Sequence, residues 1–302
     1  ERMADWKGKV IKRRYRLDER VGIGRTVEVF RAYDLLEERE VAVKLPLPHL
    51  VSDADFCDGF RAAAHRATRL RHPGVVQVMD YGVEEGRPFA VMELVTQKTL
   101  RELLEAGKKM KPVGALYFTV EIGKILAYLH GQGITHGSLD EGHVFIFPGR
   151  KAKVSDPGFP TVLGGGESPY PLSQDPRRDI RDLGYLVYRA LSGRGRQEAV
   201  EDIKKSKLKW EPEVPERLRR LIQRCMESTG GGGFASAEQM LWEAVSTFRE
   251  EQPMVPVPKV AAAEEPAEEE AEAAREHGPA LRLPQLERWQ KWTGAAVLAA
   301  LH

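Results

Sequence analysis

The sequence predicts an α+β chain of two lobes: a small antiparallel β lobe with one helix, then a larger, mainly helical lobe. Short runs rich in β-branched and aromatic residues alternate with turn residues over positions 15–95. One helical pattern interrupts these runs. From Leu100 onward, apolar residues recur at helical spacing instead. With 302 residues, 42% of them hydrophobic, the chain is long enough to bury a full core.

The β lobe contains five predicted strands around one predicted helix. The strands are Tyr15–Leu17, Val27–Ala32, Val41–Lys44, Val75–Met79 and Phe89–Val95. The helix is predicted over 52–70, because Phe60, Ala63, Ala67 and Leu70 recur every three or four residues. Pro73 and Gly74 follow and end it. The order β-β-β-α-β-β favours an antiparallel sheet with one helix packed on it.

The second lobe is predicted to consist of helices whose apolar residues form one face each. The predicted helices are Leu100–Leu104, Val113–Leu129, Ile180–Leu191, Glu216–Met226 and Ser236–Phe248. The predicted organisation is a basic N-terminal segment at 1–14, the β lobe at 15–95 and the helical lobe at 96–250. A Pro/Ala/Glu-rich linker at 251–285 is expected to be disordered, because it has too few apolar residues to form a core.

The last segment, 286–302, has the composition of a membrane-adjacent sequence. Trp289 and Trp292 stand beside basic residues and precede an apolar run that begins at Thr293. A membrane crossing needs roughly 20 apolar residues, so the run is interpreted as the start of a truncated transmembrane helix. The alternative is a short amphipathic helix that docks on protein. The first interpretation places the two lobes at the cytoplasmic face of the membrane.

Charge and cysteine content narrow the partner classes. The net charge of +1 gives no case for nucleic acid. Cys57 and Cys225 lie far apart and lack metal-site spacing, which agrees with a reducing, cytoplasmic setting. The chain contains no asparagine, so no asparagine can serve as a metal ligand. A protein partner in a signalling pathway is expected.

Seven short motifs occur in the order found in one enzyme family. They are Val21-Gly22-Ile23-Gly24, Val41-Ala42-Val43-Lys44, Leu70-Arg71-His72-Pro73, Val91-Met92-Glu93, His136-x-x-Leu139, Asp156-Pro157-Gly158 and Asp179-x-x-x-Leu183-Gly184. Through them, residues from about 15 to 248 resemble a bacterial serine/threonine protein kinase domain of the eukaryotic-like type. The resemblance implies the two-lobe kinase fold.

Three positions in the catalytic loop and one on the predicted helix of the first lobe depart from the residues that the resemblance implies. Ser138 replaces the aspartate that accepts the substrate hydroxyl's proton, and His143 replaces a metal-binding asparagine. Ala63 replaces the helix glutamate that anchors the lysine of the ATP site. Asp140 stands where the family has a lysine that contacts the γ-phosphate, so a carboxylate there is expected to repel phosphate.

The resemblance also implies a vestigial nucleotide cleft. Its residues are Gly22, Gly24, Val29, Ala42, Lys44, Met92, Glu93, Val95, Phe145 and Asp156. Lys44 is expected to pair with Asp156, and Pro157 removes the phenylalanine of the family's D-F-G motif. His136 and Asp179 are expected to have structural roles in the catalytic loop.

These departures predict a catalytically inactive domain that is not an enzyme and acts as a membrane-tethered scaffold or allosteric binding module. No cofactor and no metal site are expected. ATP binding is expected to be either absent or weak and independent of magnesium. The alternative is a weakly active or atypical serine/threonine protein kinase, with Asp140 as the nearest candidate base.

Overall fold

A computed structural model describes residues 6–160, 175–227 and 232–251. The first lobe is built on a six-stranded sheet with the order β1-β2-β3-β4-β6-β5, and all neighbouring strands are antiparallel. The strands are β1 (Val10–Ile11), β2 (Tyr15–Ile23), β3 (Val27–Asp34), β4 (Arg39–Pro46), β5 (Val78–Glu84) and β6 (Arg87–Glu93).

The two faces of this sheet are covered differently. Helix α1 (Ala54–Ala67) begins after Asp53, whose side chain accepts a hydrogen bond from the Phe56 amide at 2.9 Å. It buries Phe56 and Phe60 in the main core. A second apolar cluster, which includes Trp6, Leu17 and Phe30, lies on the other face. The N-terminal residues from Trp6 onward therefore form part of the sheet's outer cover.

The second lobe is a group of helices around a central one. Its helices are α2 (Leu100–Glu105), α3 (Pro112–Gly131), α4 (Pro176–Ser192), α5 (Arg196–Lys204), α6 (Glu216–Met226) and α7 (Ala237–Glu251), with a hairpin of β7 (Val144–Phe147) and β8 (Lys151–Val154). Helix α3 packs against α4 and α7. Within the described ranges it alone is long and apolar enough for a membrane span, but its apolar window is 56% buried by protein, as in a core helix.

The predicted two-lobe α+β architecture is confirmed. The strand predicted at Val75–Met79 lies later, at Val78–Glu84, because the preceding residues pair elsewhere. The Val76 amide donates to the Val154 carbonyl at 2.9 Å, and the Val154 amide donates to the Gly74 carbonyl at 2.8 Å. This short pairing links the first lobe to the β7–β8 hairpin.

Strands β1, β7 and β8 and helix α5 were not predicted. The three strands have two to four residues each, too few for a periodic pattern, and α5 is mostly polar. The predicted linker, apart from Glu251 at the end of α7, and the segment 286–302 lie outside the described residues. Their expected disorder and membrane contact stay predictions.

Candidate active site

Lys44 and Asp156 form an ion pair between the sheet and the turn that follows β8. Lys44 lies on β4 and is only 4% exposed. Asp156 has a φ of 62°, a left-handed backbone that short polar side chains tolerate better than most. Burial raises the pKa of Asp156, but the Lys44 ammonium and His143 outweigh burial and hold that pKa below its usual value. Asp156 is therefore a carboxylate at neutral pH.

Phe159 is a second neighbour of Lys44. The Lys44 Nζ lies 5.5 Å from the centroid of the Phe159 ring, within cation–π range. The same ring packs edge-on against Phe60 of α1, with centroids 5.1 Å apart. Ala63, at the position of the family's helix glutamate, is buried in the core that contains both phenylalanines. Lys44 thus contacts a carboxylate and an aromatic ring.

An aromatic residue follows the Asp156-Pro157-Gly158 turn. Pro157 stands where the family has the phenylalanine of its D-F-G motif. Phe159, two residues further along, packs against the helix of the first lobe. The phenylalanine directly after the motif was the one feature of the sequence that could have indicated this packing. It was insufficient because the ring's direction depends on the positive φ values of Asp156 and Gly158.

Asp179 holds the loop that begins at His136. Its fully buried carboxylate accepts hydrogen bonds from the His136 amide at 2.7 Å and the Gly137 amide at 2.8 Å. The Nε2 atom of His130 lies 2.8 Å from the same carboxylate. The His136 ring contacts the Ser155 carbonyl at 2.9 Å, and burial lowers the pKa of His136 to about 4. His136 is therefore a neutral, packed side chain at pH 7.

His143 joins two carboxylates beside this loop. Its Nδ1 lies 3.0 Å from Asp140 Oδ1, and its Nε2 lies 3.7 Å from Asp156 Oδ2. Arg101 Nη2 donates to Asp140 Oδ2 at 2.9 Å. Nitrogen-bearing side chains and carboxylates therefore alternate along one chain of contacts, which runs from Arg101 through Asp140, His143 and Asp156 to Lys44. Arg101, on α2, was not recognised in the sequence because nothing local relates it to the loop.

Ser138 lies in the loop that begins at His136, with its amide 3.4 Å from His136 Nδ1. Burial raises the pKa of Asp140, but the hydrogen bond to His143 and the charge of Arg101 outweigh burial and hold that pKa well below its usual value. A carboxylate that is stabilised in this way is a weak proton acceptor.

These residues do not fit the magnesium site that the family implies. Magnesium prefers six oxygen ligands in octahedral geometry. Here Asp156 already contacts Lys44 and His143, and Asp140 contacts Arg101 and His143. In the part of the chain that the structure describes, no three His, Cys, Asp or Glu side chains are grouped to hold a metal ion.

The glycine turn between β2 and β3 lies at the end of the sheet that carries Lys44. The Gly24 amide donates to the Val27 carbonyl at 2.7 Å and closes the turn. Val27 and Val29 pack toward the main core, and Val29 pairs with Lys44 across the two strands. Gly22 pairs with Val29 from the other side.

The remaining cleft residues lie at the junction of the lobes. Ala42 and Met92 are buried and pair between β4 and β6. Glu93 accepts hydrogen bonds from Lys153 Nζ at 2.6 Å and from the Gln77 amide at 3.0 Å. Val95 and Phe145 are partly buried against the main core.

Comparison with known proteins identifies relatives for most of this structure. The family model described as the protein kinase domain matches residues 15–176. Serine/threonine-protein kinase PknA of Mycobacterium tuberculosis is 30% identical over 265 residues, covering 76% of this chain and 62% of PknA. Serine/threonine-protein kinase PrkC of Bacillus subtilis is 28% identical over 268 residues, covering 80% of this chain and 41% of PrkC.

A solved structure has the same fold. The crystal structure of a point mutant of the PknI kinase domain from Mycobacterium tuberculosis aligns with a TM-score of 0.66 at 21% identity. The alignment covers 81% of this chain and 99% of the PknI chain. The chain spans only 41% to 62% of the length of PrkC and PknA.

The expectation that this chain is not an enzyme is wrong in the light of these relatives. Ser138, His143 and Ala63 were given decisive weight, but the matched proteins are serine/threonine-protein kinases and point to a kinase enzyme. The resemblance seen in the sequence motifs is confirmed. The chain belongs to the protein kinase domain family and is related to bacterial serine/threonine kinases.

Proposed function

We propose that this chain is an atypical serine/threonine protein kinase domain that transfers phosphate from ATP to protein at a low rate. The observation that carries the proposal is the Lys44–Asp156 ion pair, which lies at the strand end beside the glycine turn. The loop at His136 is held by Asp179 in the same cleft. Its relatives PknA and PrkC are serine/threonine-protein kinases.

Phosphoryl transfer asks a protein mainly for positioning and for positive charge near the phosphates. Lys44 supplies an ammonium at the strand that faces the glycine turn. Breaking its pair with Asp156 costs some of the binding energy of an incoming phosphate, so nucleotide binding is weak. The buried Asp156 carboxylate then keeps its contact with His143, whose Nε2 lies 3.7 Å from Asp156 Oδ2.

Ser138 cannot take up the proton that the acceptor hydroxyl releases. In this proposal His143 takes up the proton, and its ring is oriented by Asp140, with Nδ1 3.0 Å from Asp140 Oδ1. Histidine accepts protons near neutral pH, whereas a strongly paired carboxylate does not. A well-placed general base typically contributes about 10²–10⁴-fold, so its displacement from position 138 accounts for a low rate.

Magnesium contributes little in this proposal, because the carboxylates that could bind it are paired with cationic side chains and His143. ATP therefore binds weakly and with little dependence on magnesium. The proposed setting is the cytoplasmic face of a membrane, with a protein partner in a signalling pathway and no nucleic acid. The tryptophan pair at 289 and 292 and the net charge of +1 support this setting.

Incorporation of radiolabelled phosphate by the purified chain tests the function. We expect slow incorporation into the protein itself or into a generic protein substrate. Lys44→Ala and Asp156→Ala are each expected to abolish it, because both remove a member of the cleft's ion pair. Lys205→Ala serves as the matched control, since Lys205 is exposed at the end of α5 and pairs only locally with Glu201.

The cleft variants and the control together decide the outcome. Incorporation that is lost in both cleft variants and retained in Lys205→Ala supports the proposal. Incorporation that persists unchanged in Lys44→Ala and Asp156→Ala comes from a contaminating kinase and contradicts it. No incorporation by the unmodified chain over many hours also contradicts it.

A further inference from the structure

A buried ion pair lies on the outer face of the sheet, at the end that carries the glycine turn. Arg87 of β6 is 4% exposed, and its Nη2 donates to Glu28 Oε1 at 2.7 Å. Glu28, on β3, is 5% exposed. The Arg87 Nε also donates to the Pro46 carbonyl at 2.7 Å. One guanidinium thus joins β3, β4 and β6.

Trp6 covers this ion pair. The Arg87 guanidinium lies 5.2 Å from the centroid of the Trp6 ring, and Trp6 is itself 5% exposed. On the same ring, Lys9 Nζ lies 4.5 Å from the centroid and forms a salt bridge with Glu85 at 2.7 Å. The indole therefore excludes water from the guanidinium.

The N-terminal segment that carries Trp6 is fixed to the sheet by backbone hydrogen bonds. The Gly8 amide donates to the Leu17 carbonyl at 2.7 Å, and the Leu17 amide donates to the Lys9 carbonyl at 2.8 Å. In addition, the Lys12 amide donates to the Glu84 side-chain carboxylate at 2.9 Å. Trp6 is consequently a placed side chain rather than a loose terminal one.

The alternation of side chains along β3 connects this outer face to the cleft. Successive side chains of a strand point to opposite faces. Glu28 points to the outer face, where Trp6 and Arg87 lie, whereas Val27 and Val29 pack toward the main core. Movement of Glu28 would therefore move its two neighbours on the nucleotide side, and Val27 closes the glycine turn through Gly24.

We infer that Trp6 is a positioning residue for the glycine turn: by covering the Arg87–Glu28 ion pair, it fixes where the turn lies over the nucleotide. A desolvated ion pair with good geometry is held more tightly than an exposed one, and loss of its cover admits competing water. The consequence for nucleotide binding rests on the proposed kinase function. The consequence for the turn itself does not.

Site-resolved amide hydrogen exchange tests the inference without any need for phosphoryl transfer. Two amides report on the turn: that of Gly24, bonded to Val27, and that of Leu47, bonded to Thr26. In Trp6→Ala we expect both to exchange faster by about tenfold, whereas amides of α3 keep their rates. Trp242→Ala is the matched control, because Trp242 on α7 is 67% exposed, and it should leave the turn unchanged.

A double-mutant cycle tests whether Trp6 acts through the ion pair. In an Arg87→Met background, Trp6→Ala should accelerate exchange at the turn no further, because the pair is already absent. Trp6→Phe retains a ring over Arg87 and should give a smaller acceleration. It also keeps the test valid if Trp6→Ala fails to fold.

Equal acceleration throughout the sheet and the helices would overturn the inference, because Trp6 would then contribute only general stability. Unchanged exchange at Gly24 and Leu47 would overturn it as well. With the proposed function intact, Trp6→Ala also weakens ATP binding severalfold while Trp242→Ala does not. If neither the unmodified chain nor the variants bind ATP, but exchange at the turn responds as expected, the proposed function fails and the structural inference stands.

Discussion

Lys44 illustrates how far single residues can be interpreted from the sequence. Its loss of a helix carboxylate was predictable, because counting back from His72-Pro73 places the family's helix glutamate at Ala63. Its contact with the Phe159 ring was not, since that contact depends on backbone angles in the turn that begins at Asp156. The role of Arg101 escaped for a similar reason: its contact with Asp140 spans 39 positions. Motif spacing identifies which family residues are replaced, but it does not identify which other residues contact the groups that remain.

Asp182 offers a prediction at this scale. It lies on α4 near Asp179, and burial together with that neighbour raises the pKa of Asp182 from 3.8 to about 7. The folded state thus holds this proton more tightly than the unfolded state, and its stabilising effect is lost as pH rises from about 4 through about 7. Asp182→Asn cannot ionise. We expect its stability relative to the unmodified chain to rise by about 3 kcal/mol between acidic and mildly alkaline pH.

Urea unfolding of both proteins at about pH 4.5 and about pH 8 measures this difference. Because both chains share every other titrating group, the change in the difference comes mainly from Asp182. A difference that stays constant with pH would show that Asp182 is ionised in the folded chain at both pH values.

At the scale of elements, sequence periodicity predicted the helices but not how closely they approach. Helices α4 and α6 were both expected, within a few residues of their observed bounds. They pack tightly at Gly184, where an added Cβ would lie 2.7 Å from the Cys225 Cβ and 3.2 Å from the Ile222 carbonyl oxygen. Gly184 belongs to the Asp179-x-x-x-Leu183-Gly184 motif, and this contact gives a packing reason for a glycine there.

We expect Gly184→Ala to destabilise the chain by about 1–3 kcal/mol, because the helices must move apart to admit a methyl group. Gly114→Ala is the matched control, since Gly114 lies in α3 with no atom within 4 Å of an added Cβ. The control should stabilise by up to about 1 kcal/mol, as alanine favours helix. Thermal unfolding of the two variants checks the prediction. Similar shifts of both midpoints in one direction would contradict it.

At the scale of the whole molecule, local sequence patterns were enough to predict the fold, but they could not predict which distant residues pair. The change from short β-type runs to helical spacing near Leu100 predicted the two lobes. The pairing of Val76 with Val154 and the cover that Trp6 forms over the sheet join distant positions, which no local period encodes. The prediction about enzyme activity failed for a different reason: it weighed the substituted positions and gave too little weight to the retained scaffold.

The central claim is that the cleft still binds nucleotide, with Lys44, His143 and Arg101 supplying positive or proton-binding groups around its carboxylates. Titration calorimetry of ATP with and without magnesium tests this claim most directly, with Lys44→Ala as the comparison. The account predicts weak binding that magnesium strengthens by less than about tenfold, or about 1.4 kcal/mol, and that Lys44→Ala abolishes. No binding to the unmodified chain, or a larger gain with magnesium, would contradict it.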